Sequence, residues 1–173
     1  MSPQLFGTGY DPEDSQFLSA MDERKGSILL GLDTTLKISR FKLEVSIEQD
    51  IYDRHHGTKA QMFLGSGIPL SLFIDSIPFT LFKLSLGAGY YSAAYNNYYY
   101  GVKSSEVSLN RSAYKPGDSV SLLMKSSMML KMTKELTLTF GFSRENQARK
   151  IKQSPIVTGK NIESFTVFLT YNL

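Results

Sequence analysis

The sequence predicts an all-β protein, an antiparallel up-and-down β-barrel of the outer membrane with about eight strands. The main observation is that apolar and polar residues alternate with a period of two along one long segment after another. These segments run about 10 to 14 residues, whereas a soluble strand averages about 5–6 and a membrane-spanning strand needs about 9–11. The connections between them alternate between tight turns and long polar loops, as in bacterial outer-membrane barrels.

Composition excludes several other classes. A chain of 173 residues suits one domain, and we expect residues 1–173 to form a single barrel domain. No run approaches the roughly 20 apolar residues of a membrane helix, so a membrane protein with this sequence has to be a barrel. The net charge of +3 is mild and predicts no nucleic-acid partner. Cysteine is absent, which excludes disulfides and thiolate metal sites.

The first part of the chain contains the cleanest strand pattern. Residues 2–9 are a weak strand candidate, and the polar residues 10–26 predict a loop with a short helical turn. Ser27–Ile38 alternates clearly. Residues 41–51 alternate best of all, because four apolar side chains oppose four polar ones at every second position.

The middle of the chain is less regular. Residues 52–58 predict a short polar loop. Residues 59–74 predict a strand region in which Gly65, Gly67 and Pro69 indicate a bulge or a bend. The alternation returns in residues 79–91 and predicts a further strand.

The C-terminal part predicts three more strands. Residues 92–117 form the longest connection, rich in Tyr, Asn, Ser and Gly, and residues 119–132 and 135–143 alternate again. A basic loop over residues 144–161 leads to the last strand, residues 165–173. In a closed barrel of eight strands, this last strand has to pair with residues 2–9.

The connections divide into two sets, which predicts the orientation in the membrane. Tight turns are expected at residues 39–40, 75–76 and 133–134, and long loops at residues 10–26, 52–58, 92–117 and 144–161. Short turns lie in the periplasm and long loops lie outside in bacterial barrels, so both termini should be periplasmic.

The distribution of charge decides between a membrane barrel and a soluble, lipocalin-like barrel, which would alternate with its apolar face inward. Outside residues 59–74, the apolar faces carry no charge along the strand bodies, and a charge facing lipid costs about 2–4 kcal/mol at the midplane. We therefore predict that the polar faces line the lumen, with the charged candidates Asp33, Lys42, Glu44, Glu48, Lys83, Lys125 and Lys131. These charges would line a conducting path or form a salt-bridged plug, and an eight-stranded interior favours the plug.

Candidate ligand-binding residues are concentrated in the long loops. Six of the ten tyrosines lie between residues 90 and 100, and Tyr95, Tyr98, Tyr99 and Tyr100 are candidates for stacking on an external ligand such as a sugar. An aromatic girdle at the membrane interface is the favoured alternative. The last loop contains Arg144, Arg149, Lys150, Lys152 and Lys160, which would contact lipopolysaccharide phosphates or remain solvated.

The two histidines offer little support for catalysis. With Asp53, His55 and His56 could hold a metal, but two histidines in a short polar loop are expected to be solvated. A His-Ser-acid lipid hydrolase is the enzymatic alternative, but the sequence contains no Gly-x-Ser-x-Gly. We therefore expect no enzyme, no metal and no cofactor.

Five short segments carry a resemblance to a known family. They are DPEDS at residues 11–15, DRHHG at 53–57, YYYGV at 98–102, AYKPG at 113–117 and SPIV at 154–157. In order and spacing the chain resembles the MltA-interacting protein (MipA/OmpV) family of Gram-negative outer-membrane proteins, and matches their C-terminal two thirds or so.

The resemblance implies a scaffold in the cell envelope. Such a protein would link a lytic transglycosylase to a peptidoglycan synthase, in contact with outer-membrane lipid and lipopolysaccharide. A small porin or transport channel is the competing function, and an outer-membrane lipid hydrolase is the third.

Overall fold

The fold is a single antiparallel sheet in which each strand pairs with its neighbours in the sequence. The computed structural model describes residues 4–6, 9–14, 18–70, 79–159 and 161–172. The strand order is β1-β2-β3-β4-β5-β6-β7-β8, which confirms the predicted up-and-down topology. The strands are β1 (Gln4–Phe6), β2 (Ser27–Ile38), β3 (Phe41–Asp50), β4 (Thr58–Pro69), β5 (Thr80–Tyr91), β6 (Ser119–Lys131), β7 (Leu136–Asn146) and β8 (Asn161–Tyr171).

Helical structure is confined to the long connections. Helix α1 spans Ala93–Tyr100, the short helix α2 spans Arg149–Lys152, and 3-10 turns occupy Pro12–Asp14 and Ser104–Glu106. None of the helices within the described ranges has the length and apolar character needed to cross a membrane.

The tight turns follow from local chemistry. Ile38 pairs with Phe41 across a two-residue turn in which Ser39 has φ 57°, as short hairpin loops require. Between β6 and β7, the Thr133 hydroxyl oxygen accepts hydrogen bonds from the backbone N–H groups of Glu135 and Leu136. Both turns lie where the sequence predicts them, and the turn predicted at residues 75–76 lies outside the described residues.

The register of β4 corrects one prediction. The pairing with β5 runs without interruption from Lys59 opposite Tyr91 to Pro69 opposite Leu81, so no bulge occurs over these residues. At Gly65 the missing side chain has a packing role, because a Cβ there would lie 2.0 Å from the Ser85 hydroxyl on the facing strand. The glycine thus marks a close cross-strand approach, which is the other common reason for glycine in a strand.

The sheet curls with its polar face inward. A single cavity is bounded by Glu44 of β3 and by Thr166 of β8, although these strands lie far apart in the strand order. Large apolar side chains on the opposite face are exposed, including Leu32 at 60% and Leu122 at 64%. The concave face, in contrast, buries polar groups such as Ser121 at 1%. The arrangement confirms a barrel-type wall whose apolar face points outward.

The two edges of the sheet do not pair with each other among the described residues. Strand β1 pairs only with residues 27–29 of β2, and every residue of β8 is exposed and pairs with β7 alone. The pairing expected between the last strand and the N-terminal segment is therefore not seen in the described part of the chain. The described part of β1 has three residues, whereas β8 has eleven.

Candidate functional site at the loop end

Helix α1 has clear start and stop signals within the connection that the sequence presents as one long loop. The Ser92 hydroxyl oxygen accepts hydrogen bonds from the backbone N–H groups of Tyr95 (3.4 Å) and Thr58 (2.9 Å), so it caps the helix and ties it to β4. The helix ends before Gly101, where a Cβ would lie 2.3 Å from the Asn97 carbonyl oxygen. A serine cap and a glycine stop with eight residues between them were the sequence signal for this helix.

The Asn96 side chain fixes α1 over the ends of β5 and β6. It is 1% exposed, and its Nδ2 donates to the Tyr91 carbonyl (3.1 Å), the Gly117 carbonyl (2.7 Å) and the Ser119 hydroxyl (3.0 Å). The Asn97 Oδ1 accepts from the Gly117 N–H at 3.1 Å. Because buried amides are costly unless they are hydrogen-bonded, these contacts hold the helix in one place.

The β3–β4 connection is folded around one carboxylate, that of Asp50. The Ser27 hydroxyl and four consecutive or near-consecutive backbone N–H groups donate to it. The four N–H groups belong to Tyr52 (2.9 Å), Arg54 (2.9 Å), His55 (2.7 Å) and His56 (2.9 Å). Charge-assisted hydrogen bonds of this kind are stronger than neutral ones, so the carboxylate sets the shape of the loop.

The burial of His55 contradicts the expectation that both histidines are solvated. Its side chain is fully buried, while the His56 side chain remains 72% exposed. The His55 Nδ1 accepts a hydrogen bond from the Gly57 N–H at 2.8 Å, which places the proton of the neutral ring on Nε2. Burial lowers the pKa of His55 below its usual 6.5, although the Asp50 carboxylate opposes the shift.

Three tyrosine rings surround the His55 imidazole. The ring centroids of Tyr95, Tyr99 and Tyr98 lie 5.2, 5.3 and 5.6 Å from that of His55. The Nε2 atom has no hydrogen-bond partner among the described residues. No cluster of three or more potential metal-ligating side chains occurs in the same part of the chain. The histidine therefore serves as an aromatic packing partner for α1.

The candidate ligand contacts in α1 are largely engaged with one another. The rings of Tyr98 and Tyr99, and those of Tyr95 and Tyr99, have centroids 4.9 Å apart. Burial raises the pKa of both Tyr99 and Tyr100 to about 12, so their hydroxyls stay protonated. Tyr95, Tyr99 and Tyr100 line a cavity of about 780 Å³ beneath the helix, together with Glu145 and Gln147. Tyr98 lies outside it, and binding of a ligand by these residues stays a prediction.

A buried ion pair joins the first long connection to the third. Arg24 and Glu106 are each 2% exposed, and the Arg24 Nη2 donates to both Glu106 carboxylate oxygens, at 2.7 and 2.9 Å. The backbone N–H groups of Asp22 (3.0 Å) and Lys103 (2.8 Å) also donate to this carboxylate. Burial alone would raise the pKa of Glu106, but the hydrogen bonds from Lys103 and Arg24 outweigh it and hold the pKa below its usual value.

The same arginine also contacts α1. Its Nε donates to the Tyr98 carbonyl oxygen at 2.7 Å, and its guanidinium carbon lies 5.8 Å from the centroid of the Tyr98 ring. The sequence did not predict the Arg24–Glu106 ion pair, because neither residue belongs to a motif or to an alternating segment. The two residues meet only because the sheet brings distant loops to the same end.

Comparison with known proteins assigns the chain to a family. The family model described as MltA-interacting protein MipA matches residues 2–173. The chain belongs to the MltA-interacting protein family. The outer membrane protein Omp26La of Vibrio anguillarum is 31% identical, and the outer membrane protein OmpV of Vibrio cholerae is 29% identical, each over 157 residues.

The coverage of these relatives is unequal. Each alignment includes 90% of this chain but 58% of the relative, so the chain spans less than two thirds of the length of these proteins. A 24 kDa outer membrane protein of Pasteurella multocida is 36% identical over 75 residues, which is 42% of this chain and 29% of that protein. No solved structure gives a significant match. The family and its relatives place this MipA-family chain in the bacterial outer membrane.

Four of the five segments that carry the family resemblance converge at the loop end. The DRHHG segment wraps the Asp50 carboxylate, and YYYGV includes the end of α1. Val102 pairs with Tyr114 of the AYKPG segment in an isolated bridge. The hydroxyl of Ser154, the first residue of SPIV, donates to the Tyr100 carbonyl at 2.7 Å. We define these four segments, together with α1, Arg24 and residues 103–106, as the loop-end cap.

The candidate lumen-lining charges lie on the polar, concave face or near its turn end. Lys42 and Glu44 form an ion pair of 2.6 Å, and Glu48 pairs with Lys59 at 3.2 Å. One small cavity is lined by Asp33, Glu44 and Lys125. A second cavity is lined by Glu44, Lys83 and Lys125. The side chain of Lys131 is exposed at the end of β6. Their role in a lumen stays a prediction.

Proposed function

We propose that this protein is a non-enzymatic interaction protein of the outer membrane that binds a lytic transglycosylase and a peptidoglycan synthase. The family description, MltA-interacting protein, supports the first partner. The observation that carries the proposal is the loop-end cap, which packs α1 across the ends of β5 and β6 through the buried Asn96. A wall with one end covered in this way is better suited to presenting surfaces than to conducting solutes.

The interior charges support the same conclusion. Four of the charged residues near the concave face form the ion pairs Lys42–Glu44 and Glu48–Lys59. Paired charges in a narrow interior fill space and neutralise each other, whereas a conducting path needs a wet, open lumen. A channel is the alternative function, and single-channel conductance in planar bilayers would support it over the scaffold.

The partner enzymes act on peptidoglycan, so they would meet this protein at its turn end, which faces the periplasm in bacterial barrels. The two described tight turns expose Arg40 and Lys134 at that end. We propose that these cations contact the transglycosylase, because exposed charges at the rim of an interface guide association.

Co-purification from detergent extracts tests the interaction. The tagged protein should retain a lytic transglycosylase and a synthase, and Arg40→Glu with Lys134→Glu should reduce the retained amount. The matched control is Arg149→Glu with Lys150→Glu at the opposite end, which should leave retention unchanged. Equal retention by an unrelated outer-membrane barrel would refute the interaction. If the protein hydrolyses lipid and the His55→Ala variant does not, the proposal that the protein is non-enzymatic would be refuted.

A further inference from the structure

A small groove on the outer wall, at the boundary between β5–β6 and the last loop, has an apolar lower part and a cationic upper part. Its volume is about 280 Å³, and its lining includes Tyr90, Val120, Asp118, Arg149 and Lys150. We propose that this groove binds a phosphorylated lipid of the outer leaflet, with the phosphate at the two cations and an acyl chain against the strands. The proposal does not depend on the transglycosylase interaction.

The lower part of the groove belongs to the lipid-facing wall. Tyr90 of β5 pairs directly with Val120 of β6, and their side chains are 40% and 60% exposed. The next outward-facing residue along β6 is Leu122, which is 64% exposed. This apolar surface therefore continues from the groove down the wall, as a surface in contact with acyl chains requires. A tyrosine at its upper end is typical of the membrane interface.

The upper part of the groove carries two cations on a fixed segment. Arg149 and Lys150 are exposed, and the next residue, Ile151, is only 2% exposed, so a buried side chain anchors α2. The Tyr114 hydroxyl donates to the Lys150 carbonyl at 2.7 Å, which also holds this segment. The Arg149 guanidinium forms no ion pair among the described residues, so its charge is not neutralised locally.

Among the described residues that line the groove, the single carboxylate is already engaged. Asp118 Oδ1 accepts hydrogen bonds from the Tyr90 hydroxyl at 3.0 Å and from the Ala93 N–H at the start of α1 at 2.6 Å. The Lys150 ammonium donates to the backbone carbonyl of Asp118 at 3.0 Å and not to its carboxylate. Two cations and one carboxylate leave a net positive groove.

The position of the groove selects a lipid over a soluble anion. Long loops of bacterial barrels face outward, so the groove lies at the level of the outer-leaflet headgroups. The outer leaflet of this membrane consists of lipopolysaccharide, whose lipid A carries phosphates next to its acyl chains. A lipid of this kind satisfies the cations and the apolar wall together, while inorganic phosphate contacts the cations alone.

Native mass spectrometry of the folded protein in detergent tests the proposal, with bisphosphorylated lipid A as the probe. Arg149→Gln with Lys150→Gln should weaken binding about 30-fold, and each single change about fivefold. The matched control, Lys37→Gln with Lys134→Gln at the turn end, removes the same charge and should change binding less than twofold. Folding of every variant is checked by heat-modifiable gel mobility.

The comparison of probes separates the lipid from other anions. Lipid A of the same acylation without phosphates should bind about 30-fold more weakly, and inorganic phosphate should not compete. Equal losses in the control variant, or competition by inorganic phosphate at the same concentration as lipid A, would overturn the proposal. Because the Arg149 side chain forms no ion pair with any residue that the structure describes, Arg149→Gln alone still decides the question if the double variant fails to fold.

Discussion

Replacement of Glu106 by glutamine tests whether the buried ion pair holds the loop-end cap together. The substitution keeps the size of the side chain but removes the buried carboxylate from the Arg24 guanidinium, 2% exposed, and leaves it only the solvent-exposed Asp22 carboxylate at 4.0 Å. Removal of one partner of a buried pair costs about 3–5 kcal/mol, because the remaining charge stays in a region with little water. Since Glu106 also accepts hydrogen bonds from the N–H groups of Asp22 and Lys103, we expect a loss in the upper half of that range.

The free energy of unfolding can be measured by urea titration of the protein refolded in detergent, and hydrogen exchange of residues 102–106 reports on the cap itself. The matched control is Glu163→Gln, because the Arg144–Glu163 pair has side chains 46% and 45% exposed and should contribute about 0–1 kcal/mol. A loss below 1 kcal/mol for Glu106→Gln, equal to that of the control, would refute the reasoning. The double variant Arg24→Met with Glu106→Leu should lose less than Glu106→Gln, because no buried charge is left unpaired.

Three further changes probe other parts of the cap. The pKa of His55 is below 6.5 in the folded protein, so below pH 6.5 the unfolded chain binds more protons than the folded one. The stability of the cap should therefore be complete above pH 6.5 and fall as the pH drops through the folded pKa. Hydrogen exchange at pH 7.5 and pH 5 should show this dependence, and the His55→Phe variant should lose it. Asp50→Asn should make residues 51–57 mobile, because each hydrogen bond to the charged carboxylate contributes about 1.5–3 kcal/mol. Limited proteolysis should then cut this loop, and an uncut loop would contradict the role of the carboxylate. Gly101→Ala should destabilise the cap by about 1–3 kcal/mol in urea titrations because of the close Asn97 carbonyl, whereas Gly159→Ala, with its nearest neighbour 3.8 Å away, should have almost no effect.

The strands were predictable because each one needs only its own residues to show a pattern. The bounds of β2 agree with the sequence prediction at both ends, since apolar and polar side chains alternate over its whole length. Strand β7 continues to Asn146, three residues beyond the predicted end, and the prediction stopped early because residues 144–146 at the loop end are polar on both faces. Backbone hydrogen bonding to β6 and β8 stabilises these last three residues, and this pairing cannot be read from the alternation of side chains.

The loop-end cap was not predictable in the same way. The burial of His55 depends on tyrosines of α1 that follow it by about 40 residues, and a histidine in a polar loop gives no sign of them. The partners Arg24 and Glu106 are separated by 82 positions. Only α1 had a local signal, the serine cap at Ser92 and the glycine at Gly101, which the tyrosine-rich composition obscured.

The strand order has a consequence for how the molecule assembles. Because each strand pairs, among the described residues, only with its neighbours in the sequence, the sheet can grow one strand at a time, and loop-closure entropy rises only slowly with the length of each connection. The Arg24–Glu106 contact is different, since it forms only after strands β2 to β5 have brought the first and third long connections together. Closure of the cap is therefore a late event, and protection of the Lys103 amide marks a molecule whose strands β2 to β5 are already in place.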